Sequence, residues 1–362
     1  MFAYIVRRLL LMVPTVVGIL VINFVVINMA PGGPIDNIIA QMRGGPSLGE
    51  RTGAAEGREV QSSTPEQGRD SRAARGLEKE LREKLAKQLG LDKPIGERLV
   101  LMLRNYLTFD LGDSFFKGKN VVELVIERLP VSLSLGLWAT LLTYLVCIPL
   151  GIMKAVRDGS RFDVWSSGAV ILGYAIPSFL FALLLIIVFS TGTVVKWFPL
   201  RGLTSDNFAD LSTGQQIVDY FWHMALPIVA MMIGGFATLT ILTKNSFLDE
   251  IRKQYVITAR AKGLSERRVL YGHVFRNAML IVIAGFPAAF IGILFSGSLL
   301  IETMFSLEGL GLLSFEAALG RDYPVLFGAL YVFSLIGLLI HLVTDLMYVL
   351  VDPRIDFEAR AG

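Results

Sequence analysis

Apolar residues in this chain gather into six long runs, at 9–29, 132–153, 164–190, 223–243, 280–301 and 326–350. Each is close to the ~20 residues that an α-helix needs to cross about 30 Å of hydrocarbon. The pattern predicts an all-α polytopic membrane protein with about six transmembrane helices. Pro14, Pro149, Pro177, Pro227 and Pro287 interrupt the runs. Membrane bundles tolerate this because neighbouring helices re-satisfy the freed backbone groups. Gly234, Gly235 and Ala237 read as positions of close helix approach. The first run follows Arg7 and Arg8, is too long for a signal peptide and has no small-x-small site at 28–31. It is expected to stay as an anchor.

The polar stretches between the runs differ in kind. Residues 43–75 are rich in Gly, Ser, Arg, Glu and Thr and read as flexible. Leu77, Leu81, Leu85 and Leu89 then recur every fourth residue, which predicts an amphipathic helix stopped by Gly90. A second short helix is expected over 99–107, with a turn at 110–114. Together, residues 31–131 read either as a small exterior cap or as a solvated connector.

Composition agrees with a bilayer as solvent. The chain has 362 residues, 53% hydrophobic and 18% charged, against about 45–50% and about 25% in soluble domains. The net charge of +3 is too small to argue for nucleic acid. One cysteine, Cys147, and three separated histidines leave no disulfide framework or metal motif. The position of the charges is more informative. Lys154, Arg157 and Arg161 follow the second run, and eight Lys and Arg between Lys244 and Arg276 follow the fourth. The alternate loops carry only Lys196 and Arg201, or Arg321. The positive-inside rule then puts both termini and the two basic loops in the cytoplasm. Trp197, Phe198, Tyr220 and Trp222 suit interfacial anchors.

The basic loop at 244–279 is helical by propensity. Residues 254–262 and 265–274 read as two short helices, with Gly263 supplying the positive φ between them. Ser265 is expected to cap the second helix with its side chain, with Glu266 in the first turn. Such an element could dock a partner through Val256, Ala259 and Leu264, flanked by Arg260 and Lys262, or could lie on lipid headgroups.

Tyr255, Val256, Ile257, Thr258, Ala259, Arg260, Ala261, Lys262, Gly263 and Leu264, followed by His273, Val274, Phe275, Arg276, Asn277 and Ala278, resemble the EAA loop of ABC importer permeases. The wording is similar to the dipeptide/oligopeptide/nickel branch, where Thr258 stands in place of the general motif's Glu. The likeness extends over nearly the whole chain. It includes Ala30 to Pro34, Gly112-Asp113-Ser114, Glu302-Thr303-Met304-Phe305, Gly309-Leu310-Gly311, Arg321-Asp322-Tyr323-Pro324, Asp345, Tyr348 and Asp352-Pro353-Arg354. Pro-Gly-Gly-Pro in place of Pro-Gly-Asp-Pro, the long outer insertion and residues 159–165 look like the Yej-type subfamily, whose B-type permease takes up oligopeptides and microcin C.

The resemblance implies a type I ABC importer permease fold. It also implies an N-terminal anchor at 1–30, a periplasmic segment at 31–131, a permease core at 132–351 and a cytoplasmic tail at 352–362. Tyr255, Val256, Thr258, Ala259, Arg260, Ala261, Lys262, Gly263 and Leu264 would form the coupling loop, and Glu302 and Phe305 a periplasmic gate or entrance. The implied partners are a second permease, two ATPase subunits or one fused ATPase, a periplasmic solute-binding protein, a peptide substrate and the lipid bilayer. ATP and Mg would sit on the partner ATPases, with no cofactor on this chain. No Gly-x-x-x-x-Gly-Lys-Ser/Thr loop occurs, and Gly118-Lys119 lacks both the earlier glycine and the hydroxyl. Two other classes are weaker. An intramembrane hydrolase would need more than Ser178 or Ser246, without a Gly-x-Ser-x-Gly elbow or His-Glu-x-x-His. An ion-coupled secondary transporter would need repeated broken segments and central acids.

Overall fold

The computed structural model describes residues 2–29, 93–294 and 298–351. Every regular element among them is helical: α1 Phe2–Met29, α2 Ile95–Leu107, α3 Val121–Val156, α4 Arg161–Ala175, α5 Ser178–Phe189, α6 Thr213–Ile251, α7 Gln254–Ala261, α8 Glu266–Val269, α9 Phe275–Ala284, α10 Phe286–Gly292, α11 Ser298–Met304, α12 Leu310–Gly320 and α13 Tyr323–Val351. Five stretches are long and apolar enough to cross a membrane, or six if the bent pair α4 and α5 forms one span. The expectations for 43–75, the Leu77 to Leu89 helix, Ala30 to Pro34 and the tail from Asp352 lie outside the described residues.

Three expected elements take a different form. The run at 164–190 is not one straight helix, because α4 and α5 meet at 96°. Pro177 explains the break. Its ring disfavours helical backbone at the preceding residue, and Ile176 is extended at φ −89 and ψ 119. The fifth run starts well before residue 280. From Glu266 the chain passes through α8, a π-helical stretch at Leu270–Val274 and α9 without a turn. The second helix of the expected helix–turn–helix is therefore the start of a span. Finally, Ser265 is the N-cap residue of α8, but its side chain makes no capping hydrogen bond.

The described parts fall into two compact units. The first comprises Met1–Leu10, Arg128–Leu312 and Phe333–Gly362. Within it, α6 packs against α4, α5 and α9, and α11 packs on α5 and α6. One apolar core joins Leu135, Ala139, Leu185, Met224, Met231 and Phe305. A second joins Cys147, Ile152, Phe247, Val256, Ala259, Val269 and Ala278, so the basic loop shares its core with the spans. Phe198 and Trp222, two of the expected interfacial anchors, stack with ring centroids 4.4 Å apart. Arg8 and Asp345 pair at 2.8 Å, which gives the carboxylate in the last run an interhelical partner.

The second unit comprises Leu11–Glu127 and Leu313–Val332. Tyr106 of α2 meets Tyr331 of α13 edge to face, with centroids 5.2 Å apart. Lys117 pairs with Glu316 at 2.7 Å. Asn120 Oδ1 accepts from the Val122 N–H at 2.9 Å and so satisfies one of the unpaired donors at the start of α3.

Candidate functional site

The loop that joins α6 to α9 is closed by its backbone. After α7, Gly263 has φ +81. Its N–H donates to Arg260 O at 2.9 Å, and the Leu264 N–H donates to Ala259 O at 3.3 Å. These are the two bonds of a Schellman ending. Leu264 completes it by packing on the core that contains Ala259. The Arg260 guanidinium spans the turn as a fork, with Nε to Glu266 Oε1 at 2.8 Å and Nη2 to Oε2 at 3.0 Å. Glu266 raises the Arg260 pKa further above its ordinary value.

The far side of α7 is fastened to two spans. The Tyr255 hydroxyl donates to Glu250 Oε2 at the end of α6 at 2.6 Å. It accepts from Asn277 Nδ2 of α9 at 3.3 Å. Lys253 also pairs with Glu250. The Ser246 hydroxyl donates to Ala278 O at 2.6 Å. Burial and the Glu250 contact push the Tyr255 phenol above its ordinary range. Tyr255 and Asn277, from the two halves of the sequence motif, are thus bonded to each other, and Tyr255 in turn to one acidic residue that the motif does not include. The pattern gives no sign of Glu250 beyond a lone acid at the edge of a basic loop.

Burial divides the motif differently from expectation. Val256 is 0% exposed and Ala259 7%, so these two hold α7 to its own core and are not free to anchor a partner. Leu264 is half-buried in the same core. The face left open carries Ile257, Thr258, Ala261 and Lys262, with Arg260 and Gly263 beside it.

Behind the loop lies a charge cluster. Lys154, 1% exposed, donates to Asp163 O at 3.0 Å, Ser166 Oγ at 2.9 Å and Ser167 Oγ at 2.7 Å. It also pairs with Asp163 Oδ1 at 3.1 Å. Lys244 of α6 reaches Asp163 Oδ2 at 2.7 Å and Asp158 Oδ1 at 2.9 Å. Ser160 caps α4 by accepting from the Asp163 N–H at 3.3 Å. The ends of α3, α4 and α6 are therefore joined by one paired network. Positive-inside counting uses Lys154 and Lys244 only to orient their loops.

Glu302 and Phe305 are 0% and 2% exposed, so neither side chain faces an open passage here. The Glu302 carboxylate accepts from Ser132 Oγ at 2.6 Å and the Leu312 N–H at 3.0 Å. Ser132 Oγ accepts in turn from the Leu310 N–H at 2.8 Å. Gly309 and the start of α12 pack on this carboxylate, and a Cβ on Gly311 would fall 2.8 Å from Glu302 Oε2. Among the described residues, no three His, Cys, Asp or Glu side chains converge as metal ligands would.

The chain is similar over its length to named permeases. It is 58% identical over 362 residues to the "Peptidoglycan transport system permease protein YejB" of Agrobacterium fabrum, covering 99% of this chain and 100% of that one. It is 58% identical over 366 residues to the "Inner membrane ABC transporter permease protein YejB" of Escherichia coli O157:H7, with the same coverage. It is 33% identical over 361 residues to the "Oligopeptide transport system permease protein AppB" of Bacillus subtilis, covering 99% and 100%. In fold it resembles a chain of the inward-facing MetNI methionine ABC transporter, with a TM-score of 0.51 at 15% identity, over 64% of this chain and 97% of that one. Residues 147–357, which include the whole loop described above, match the family described as "Binding-protein-dependent transport system inner membrane component". The chain belongs to that family of inner-membrane permease subunits.

Proposed function

We propose that this chain is one of two permeases in an ATP-driven importer that carries peptides or peptide-like solutes from periplasm to cytoplasm. The second permease, two ATPase subunits or one fused ATPase, and a periplasmic solute-binding protein complete the machine, with ATP and Mg on the ATPases. Both termini and the basic loops lie on the cytoplasmic side, where Lys and Arg concentrate. Residues 31–131 then belong to the periplasmic side and 352–362 to the cytoplasm. The peptide class rests on the names of two relatives, which specify peptidoglycan and oligopeptide transport.

The observation that carries the reading is the build of α7. A short helix with Ile257 exposed on one face is braced on the other by Val256, Ala259, Tyr255 and the Schellman ending. A brace of this kind can pass a push into α6 and α9 without being absorbed by the loop. Closure of the ATPases on ATP would draw the coupling helices together and turn the permease pair outward, and hydrolysis would reset it. Glu302 would serve gating by holding Gly309 and the start of α12 in place, with Phe305 packed in the core beside α5 and α6. The test is purification of the complex with Ile257→Asp, on the open face, beside Ile257→Leu. The aspartate variant is expected to lose the ATPase subunits while keeping the second permease, and the leucine variant to keep both. An ATPase retained equally by both variants would remove α7 as the docking element.

A further inference from the structure

A cavity of about 480 Å3 opens inside the first unit, with Thr143, Ser178, Gly234, Thr238, Gly285 and Gly292 among its walls. Small-molecule sites usually occupy about 300–1,000 Å3. Thr143 and Gly234 lie well inside helices of 36 and 39 residues, so the space is at membrane depth. Two departures from regular helix meet there: the Ile176-Pro177 break just before Ser178, and Gly285 between α9 and α10. Irregular backbone within a membrane persists where it is buried in protein or lines a wet cavity.

The chemistry of the walls is restricted. Among the described residues, no Asp, Glu, Lys or Arg lines the space. The Thr143 hydroxyl donates to Ala139 O at 2.7 Å and the Tyr144 hydroxyl to Val282 O at 3.3 Å. Those two hydroxyl protons are taken by backbone carbonyls, and Ser178 and Thr238 add two further hydroxyls to the walls. Such walls offer no ion pair to a terminus or a charged side chain. They offer room, hydroxyls and glycine backbone. A Cβ added to Gly234 or Gly292 would meet nothing within 4 Å, so these glycines are not required by packing. Their effect is to keep the cavity wide.

We propose that this cavity is a subsite for an uncharged portion of the peptide cargo, selected by size, with Gly234 and Gly292 setting its width. The inference rests on the peptide-import reading above. The test uses the whole complex in vesicles, supplied with labelled alanine tripeptide or phenylalanine tripeptide. The variants are Gly234→Leu and Gly292→Leu. Gly168→Leu, at another open position whose Cβ meets nothing within 4 Å, is the control. Steric discrimination in apolar pockets spans about 10–200-fold. Phenylalanine tripeptide uptake is expected to fall by at least about tenfold in both cavity variants, with alanine tripeptide within about twofold of wild type. The control should change neither. An equal change for both peptides, no change for either, or loss of the second permease from the variant complex would overturn the subsite. The last result would make the space a seat for a neighbouring helix. Wild-type vesicles that hydrolyse ATP but take up neither tripeptide would overturn the peptide reading itself, and this inference with it.

Discussion

The Ser114 hydroxyl donates a 2.5 Å hydrogen bond to the Asp322 carboxylate across 208 residues of chain. The Phe115 N–H donates to the same carboxylate at 3.3 Å. Asp322 lies in the turn between α12 and α13, is 3% exposed, and burial pushes its carboxyl above the ordinary range despite these donors. Removal of the acceptor leaves several donors buried and unpaired, at about 1–3 kcal/mol. Asp322→Ala should therefore lower the thermal stability of the purified complex more than Asp322→Asn. The pH dependence has a definite sign. A carboxyl raised in the folded state binds its proton more readily folded than unfolded, so its contribution to stability falls as pH rises through the window above 3.8. Wild type should gain on Asp322→Asn as pH is lowered through that window. Melting curves at two pH values with a constant difference would remove the burial argument.

The turn at Gly263 separates conformation from contact. Its φ is +81, yet a Cβ there meets nothing within 4 Å. Substitution is thus resisted by backbone strain alone, and by an amount that depends on the residue. Asn enters the left-handed region readily, whereas a β-branched residue is an outlier there. ATP-driven uptake should be mostly kept by Gly263→Asn and strongly reduced by Gly263→Val. Equal uptake by both would show that the turn does not need the left-handed backbone.

The legibility of the chain follows the range of the forces involved. The apolar runs reported the spans because a bilayer imposes a length on each helix. Gly263 reported its turn because positive φ is a local demand that one residue type meets best. The 96° break at Ile176-Pro177 was within reach, since Pro177 stood in the run. A proline alone does not announce a break, because membrane helices often carry proline without breaking. Nothing local marks Lys154 as buried, because its partners Asp163, Ser166 and Ser167 become neighbours only once α4 folds back on α3. Val256 and Ala259 suit a docking face as well as a core for a related reason. Apolar residues on a short helix look the same whether they face another protein or their own core.

The Lys154 cluster predicts an asymmetry between its members. Asp163 holds both Lys154 and Lys244, so Asp163→Ala leaves a lysine that is 1% exposed with hydroxyl and carbonyl partners only. Loss of one partner from a buried pair costs about 3–5 kcal/mol. Lys154→Met leaves Asp163 still paired with Lys244 and should cost less. The double variant Lys154→Met/Asp163→Ala should be more stable than Asp163→Ala alone, because it removes the stranded charge. Thermal unfolding of the four proteins gives the coupling, and a double variant less stable than either single would mean that the ions contribute mainly through packing.

The approach of α3 to α6 is set by a glycine of a different kind from Gly263. A Cβ on Gly151 would lie 2.6 Å from Thr243 Cβ and 2.9 Å from Thr240 O. The first obstacle is a side chain and can be removed; the second is backbone and cannot. Overpacking of this kind costs about 1–3 kcal/mol where the neighbours can shift. Here α6 is also held by the Lys244 pairs at its cytoplasmic end, which limits the shift. Gly151→Ala should therefore lower the melting temperature of the complex, while Gly168→Ala, with open space around it, should not. Adding Thr243→Gly to Gly151→Ala should restore part of the loss but not all, since Thr240 O remains in the way. Full restoration would mean that the side chain alone sets the helix spacing. An unchanged melting temperature in Gly151→Ala would mean that α3 and α6 can separate freely at this level, and the rigid link from the basic loop into the spans would then have to run through α9.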